Sequence, residues 1–212
     1  MSRCIILGAG EITPAEVSRC GITAQDWVVA ADGGYLRARE LGLRPQLILG
    51  DFDSAPAPGA GDGVPIMTHP AHKDDTDTML AAREGLARGY TRFVLLGGLG
   101  GRLDHTLANI QLLVFLKDRG ADGLLMDRGH TLRVLRQERW TVGRFAGYLS
   151  LLALGGDCTV TLSGVEYPLT RHRLTVGYPL GVSNRVTGEQ ALVEVHRGTL
   201  LAVEAYGQER QP

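Results

Sequence analysis

The sequence lacks the features that would tie it to a surface or a polyanion. Its 22 basic and 23 acidic residues leave a formal charge of -1. No global field therefore exists to hold nucleic acid or an anionic membrane, and an anionic ligand must be held locally. Cysteine is scarce as well: Cys4, Cys20 and Cys158 are odd in number and share no metal-ligand spacing. That excludes a disulfide framework or a zinc site, and it points to a reducing compartment in which all three are buried thiols. Long hydrophobic runs are missing. The amino-terminal run Cys4–Leu7 is too short for a signal peptide, and the near-apolar stretch 147–156 falls well short of the ~18 residues of a membrane span. These absences predict a soluble, cytoplasmic protein. Lysine is scarce too, with only Lys73 and Lys117 among the basic residues, so Lys73 stands out inside its acidic surroundings.

What is present suits one large or two small globular domains: 212 residues, 44% apolar and 21% charged. Over the first 127 residues short apolar runs alternate with helical patterns. Cys4–Leu7, Trp27–Ala31, Gln46–Leu49, Val64–Thr68, Arg92–Leu96 and Gly123–Met126 read as strands buried on both faces. Thr13-Pro14 reads as a helix cap followed by proline at the first helical position. Gly34–Leu41, Thr76–Arg88 and Leu103–Arg119 read as helices stopped by Gly42, Gly89 and Gly120. In the last of these, Leu103, Leu107, Ile110 and Val114 are expected to form the buried face. The alternation predicts a mostly parallel sheet with flanking helices, Rossmann-like. From about Arg128 the period shortens. Cys158–Ser163, Ala191–His196 and Thr199–Ala205 read as strands, with Gly198 as a turn, so residues 128–212 are expected to form a smaller antiparallel β-sandwich. Ala55–Pro65 is a loop by composition.

The polar and glycine-rich segments fall at predicted strand ends. Gly50-Asp51-Phe52-Asp53-Ser54 follows an apolar strand, the edge at which open α/β sheets bind ligands. If the chain stays extended, Asp51 and Asp53 point to one side and share a cation such as magnesium; the alternative is a polar turn. His72-Lys73-Asp74-Asp75-Thr76-Asp77 opens a helix. Asp74 there reads as a dipole or capping residue, Asp77 as the functional carboxylate at the sheet edge, and Lys73 as either a phosphate ligand or a neutraliser of its neighbours. Gly97-Gly98-Leu99-Gly100-Gly101-Arg102 joins a strand to a helix and lets backbone N–H groups approach a polyphosphate, with Arg102 adding a guanidinium fork. It is neither a Walker loop nor a dinucleotide fingerprint. Asp104 could take a ribose hydroxyl, a metal-bound water or a base edge. His105 is either a ligand-facing residue or a partly buried histidine bonded to Asn109. Asp32-Gly33-Gly34 supplies a further strand end of the same kind. Together they describe an acidic, glycine-lined crevice for a metal-bound nucleotide.

In this order, Asp32-Gly33-Gly34, Gly50–Ser54, Lys73–Asp77 and Gly98–His105 resemble the motifs of the thiamine pyrophosphokinase family. Gly164–Leu169, Gly181-Val182-Ser183-Asn184 and Gly198–Leu201 continue the likeness over nearly the whole chain. The resemblance implies an amino-terminal α/β nucleotide domain, a carboxyl-terminal β-sandwich that takes part in thiamine binding and dimerisation, and a homodimer with active sites between subunits. It also implies magnesium-dependent transfer of the β,γ-diphosphoryl group of ATP to the hydroxyethyl oxygen of thiamine. Carried over residue by residue, Asp51, Asp53 and Asp77 are the metal carboxylates and, with Arg102, the catalytic group. Asp32, Ser54, Gly98, Gly100, Gly101, Arg102, Asp104 and His105 line the ATP site. Lys73, Thr76, Ser183 and Asn184 border thiamine. Ala202 stands where eukaryotic members carry a tryptophan, leaving Tyr206, Tyr178 or Trp140 as the aromatic candidates. The rival readings are a diphosphokinase acting on a pterin alcohol and a nucleotide-sensing module without turnover.

Overall fold

The computed structural model describes residues 2–50, 63–68 and 75–207, and the chain divides into two units, 1–128 and 129–212. The first unit contains β1 (Cys4–Leu7), α1 (Pro14–Cys20), β2 (Trp27–Ala31), α2 (Gly34–Glu40), β3 (Leu47–Gly50), β4 (Ile66–Thr68), α3 (Asp77–Ala87), β5 (Arg92–Leu96), α4 (Leu103–Asp118) and β6 (Asp122–Met126). Its strands are all parallel and lie in the order β4-β3-β2-β1-β5-β6. Burial on both faces explains the unbroken apolar runs: Ile5 and Leu7 meet Val28, Ala38, Val94 and Leu96 in one core cluster. Cys4 and Phe93 turn to the other side, where Gly85 lets α3 pack close, since a Cβ there would lie 2.6 Å from the Phe93 ring. Each fully buried Leu or Ile contributes about 1.5–3 kcal/mol.

Local chemistry sets the helix ends. Thr13 and Glu16 form a reciprocal capping box on α1, with Pro14 at its first position. Gly42, Gly89 and Gly120 follow the ends of α2, α3 and α4 with φ of 66°, 82° and 71°, the left-handed region that stops a helix. Two expectations are corrected here. β4 is a short edge strand with Ile66 42% exposed, because only β3 pairs with it. The buried residues of α4 are Asn109, Leu112, Leu113 and Leu116, while Leu103 and Leu107 are 70% and 54% exposed. The helix is apolar around most of its circumference, so periodicity alone did not select the face that packs on β6.

The second unit contains β7 (His130–Leu135), β8 (Arg139–Gly143), β9 (Gly147–Ala153), β10 (Cys158–Ser163), β11 (Leu169–Leu174), β12 (Gln190–Arg197) and β13 (Leu200–Tyr206). β7-β13-β9 and β11-β10-β12-β8 are antiparallel. Leu149, Leu151 and Leu200 from the first set share a core with Val160, Leu162, Val193 and Val195 from the second. Gly198, at φ 84°, turns the chain from β12 into β13, which pairs with other strands. The fold is thus mixed α/β, with a parallel-dominated sheet and a separate antiparallel sheet. All three cysteines are free and buried. Among the described residues, no helix is long and apolar enough to cross a membrane.

Candidate active site

Strand order in the first unit reverses at β1, which has β2 on one side and β5 on the other. The carboxyl ends of strands beside such a reversal form a crevice. Here the crevice floor is backbone. Gly8 N–H donates to the Leu96 carbonyl at 2.8 Å and Gly10 N–H to the Gly97 carbonyl at 3.1 Å. A Cβ on Gly10 would sit 2.5 Å from the Gly97 oxygen, and one on Gly34 only 1.9 Å from the Leu7 oxygen. One strand further on, Asp32 N–H donates to the Leu49 carbonyl at 2.8 Å, and Gly50 faces the Asp32 backbone. Asp32 itself has φ 47°, an unusual conformation that aspartate tolerates better than most residues. Four neighbouring strands therefore end in a ridge where backbone packs directly on backbone and side chains do not fit between segments. The Gly8-Ala9-Gly10 part of that ridge was not singled out from the sequence, although two glycines straight after the first strand were its signal.

The β5–α4 loop continues the ridge. Gly97, Gly100 and Gly101 all have positive φ, at 67°, 80° and 62°, and nothing lies within 4 Å of where a Cβ on Gly100 or Gly101 would be. Gly98 is pinned from below by the buried Asn109, whose Nδ2 donates to its carbonyl at 2.8 Å. Asn109 Oδ1 in turn accepts the Thr78 hydroxyl at 2.9 Å, joining this loop to the start of α3. The reading of His105 as a partly buried partner of Asn109 is thereby corrected: His105 is exposed and Asn109 is engaged elsewhere. Arg102 does not stand open. Its Nε and Nη2 reach Asp104 Oδ1 and Oδ2 at 3.2 Å and 2.6 Å. The guanidinium holds the Asp104 carboxyl below its usual range, and the Asp104 hydrogen bond raises Arg102. Both side chains are exposed, so solvent screens the pair and a polyphosphate can compete for the guanidinium.

At the start of α3 the cap is Thr76, whose Oγ1 accepts the Met79 N–H at 3.3 Å. Asp77 is the first helical residue and half-buried, and Asp75 is held by Arg83 at 2.7 Å. Asp51, Asp53, Ser54, Lys73 and Asp74 lie outside the described residues. Among the described residues no three His, Cys, Asp or Glu side chains gather to hold a metal ion.

In the second unit, Ser183 is exposed with φ 62° and donates its N–H to Ser150 Oγ at 3.0 Å. Asn184 is buried. Its Nδ2 donates to the Tyr167 carbonyl at 2.7 Å, while its Oδ1 accepts the N–H groups of Tyr167 and Arg185 at 3.1 Å and 2.9 Å. Its amide thus fixes the segment beside Ser183. Ala202 is 1% exposed inside the core. Of the aromatic candidates, Trp140 packs on that core beneath Arg133, and Tyr206 tilts against Phe145 with its hydroxyl donating to Glu204 Oε2 at 2.8 Å. Tyr178 is 66% exposed.

Family models described as the catalytic domain and the vitamin B1 binding domain of thiamin pyrophosphokinase match residues 21–122 and 129–200. A thiamine pyrophosphokinase of Bacillus subtilis (strain 168) is 26% identical over 192 residues, spanning 84% of this chain and 86% of its own. The crystal structure of thiamin pyrophosphokinase from Geobacillus thermodenitrificans superposes with a TM-score of 0.86 at 27% identity, covering 100% of both chains. That of the Bacillus subtilis enzyme shares the fold, with a TM-score of 0.88 at 23% identity over 98% of this chain and 100% of its own. Two models of one family, in order and together spanning most of the sequence, identify the chain as a member of the thiamine pyrophosphokinase family.

Proposed function

We propose that the protein is an ATP:thiamine diphosphotransferase, which moves the β,γ-diphosphoryl group of ATP to the hydroxyethyl oxygen of thiamine and releases AMP. The observation that carries this reading is the main-chain ridge from Gly50 through Asp32 and Gly8 to Gly97, continued by the open glycines 100 and 101 at the head of α4. Such a surface suits a polyphosphate, whose oxygens need closely approaching N–H donors at a helix start. Gly98, Gly100 and Gly101 cradle the phosphates, and Arg102 leaves Asp104 to engage them. Asp32, Ser54, Asp104 and His105 line the rest of the nucleotide. This first unit is the Rossmann-like nucleotide domain, and the second, a β-sandwich, contributes to thiamine binding and dimerisation.

Hard carboxylate oxygens from Asp51, Asp53 and Asp77 are the donor set that magnesium prefers, and Gly50, which faces the Asp32 backbone, directly precedes Asp51 in the sequence. Magnesium, when bound, neutralises the oxygens of the transferring group as a Lewis acid. The protein's own part is placement: backbone N–H groups and Arg102 hold the diphosphoryl group in line with the acceptor, and Asp77 takes the proton from the alcohol oxygen. Lys73, Thr76 and Ser183 border thiamine, with Asn184 acting through the segment it fixes. A cationic thiazolium suits an acidic crevice.

We read the active form as a homodimer with active sites between subunits. The exposed Leu103 and Leu107, and the exposed Val176, Tyr178, Leu180 and Val182, support this as apolar surface that a second copy would cover. Three buried free thiols suit the reducing, ATP-rich cytoplasm. The deciding experiment incubates the protein with ATP, magnesium and thiamine. Equal amounts of AMP and thiamine diphosphate are expected, with no AMP when thiamine is omitted or replaced by a pterin alcohol. AMP formed with the pterin but not with thiamine would overturn the assignment, and no AMP with either would leave only a nucleotide sensor.

A further inference from the structure

The outer face of β11-β10-β12 carries chemistry that the proposed transfer does not use. Thr159 on β10 sits opposite Arg173 on β11 and opposite Arg197 on β12. Residues directly opposite on neighbouring strands project to the same side, so the three side chains stand abreast. With Asp157 they line a cleft of about 510 Å³. Neighbouring strands lie roughly 4.8 Å apart, which puts the two arginine backbones on the order of 10 Å from each other, a span that two guanidinium groups can close over the hydroxyl between them.

One of these arginines is already oriented. Arg173 Nε donates to Asp157 Oδ2 at 2.9 Å, and Nη2 donates to the same oxygen. Asp157 Oδ1 accepts the Val176 N–H at 3.2 Å, so both carboxylate oxygens are engaged from within the unit. Arg197 is exposed and has no carboxylate partner among the described residues. Two guanidinium groups against one carboxylate leave the cleft with net positive charge, and the exposed Arg171 on β11 adds to it. A fork held in place beforehand loses little rotamer freedom on binding, and guanidinium geometry matches tetrahedral oxyanions in a bidentate way.

We propose that Arg173, Thr159 and Arg197 form a binding site for a small phosphate anion, separate from the nucleotide crevice of the first unit. The two guanidinium groups hold oxygens on either flank, and the Thr159 hydroxyl donates to an oxygen between them.

The test is calorimetric titration of the full chain with inorganic phosphate and, separately, inorganic diphosphate, at constant ionic strength in EDTA so that no metal recruits the probe elsewhere. Saturable binding is expected, weakened about tenfold or more in Arg197→Gln and in Thr159→Val. It is expected unchanged in Arg139→Gln, whose guanidinium is paired with Glu194 at 3.0 Å on the same set of strands. Preference for diphosphate would show both guanidinium groups engaged across two phosphoryl groups; equal binding of both probes would show a single-phosphate site. Absence of saturable binding, equal weakening in Arg139→Gln, or binding that survives Arg197→Gln and vanishes in Arg102→Gln would overturn the proposal. The substituted arginines are exposed and Thr159 is half-buried, and unliganded thermal unfolding checks that each variant folds. Turnover of ATP and thiamine is expected to be unchanged in Arg197→Gln, so failure of the enzymatic reading and failure of this site are read separately.

Discussion

The buried amide of Asn109 donates to the carbonyl of Gly98 at 2.8 Å, holding the glycine loop from beneath. Removing that donor leaves a buried carbonyl without its partner. Asn109→Ala is expected to lose about 1–3 kcal/mol of stability, measured by urea unfolding. Asn109→Asp keeps an acceptor for the Thr78 hydroxyl and loses the donor to Gly98. It should raise KM for ATP while leaving KM for thiamine close to that of the parent; an unchanged KM for ATP would separate this amide from the loop's function.

The glycines of the ridge divide by what surrounds them. Gly34→Ala drives a methyl to within 1.9 Å of the Leu7 oxygen, so it should destabilise the fold by about 1–3 kcal/mol or more. Gly100→Ala meets no neighbour but must adopt φ 80°. Its stability loss should be only about 1–2 kcal/mol, and its greater effect should be on turnover, because the strained position lies in the loop proposed to cradle the phosphates. Thermal unfolding and AMP release, measured on both variants, check the contrast.

The carboxylates and Arg102 are expected to matter to rate more than to folding. Asp53→Asn and Asp77→Asn should lower turnover by orders of magnitude with the fold intact, and EDTA should abolish the parent's activity until magnesium is restored. Near-normal AMP production by folded Asp53→Asn would remove the metal assignment. Arg102→Gln should cost about 1.5–3 kcal/mol of transition-state stabilisation, read as the fall in kcat/KM.

Acid stability should depend on Asp26. Its carboxylate is nearly buried and accepts from Arg3 N–H, Nε and Nη2 and from Thr23, and the Arg3 hydrogen bond holds its pKa far below the usual carboxylate value. The folded value is the lower of the two. The stabilisation is therefore fully present above the unfolded pKa of about 3.9 and is lost as pH falls through the folded one. Stability of the parent should drop below about pH 4 with a slope that Asp26→Asn lacks, as followed by urea midpoints between pH 2 and 7.

The thiols should be silent in the native state. Burial pushes the Cys158 thiol up to about 11 and raises Cys4 and Cys20 as well. A thiol reagent at pH 8 should react with three groups only after unfolding; a rapid native reaction would place one of them at the surface.

Local chemistry made much of the first unit legible. The strands Cys4–Leu7, Trp27–Ala31 and Arg92–Leu96 end where their apolar runs end, because burial on both faces needs such a run. Thr13-Pro14 and the glycines at 42, 89 and 120 set helix ends through backbone preferences that act within a few residues. The position of the glycine loop before α4 was legible for the same reason. Only the tertiary structure decided which side of α4 is buried, because that depends on a strand brought alongside and not on the helix's own period. It also decided that Gly8 and Gly10 lie against Gly97, nearly ninety residues along the chain, and that Arg3 is paired with Asp26. Order along the chain fixes what each segment can become, whereas the partners of a backbone carbonyl or a guanidinium are set by strand order and packing, which have no local signature.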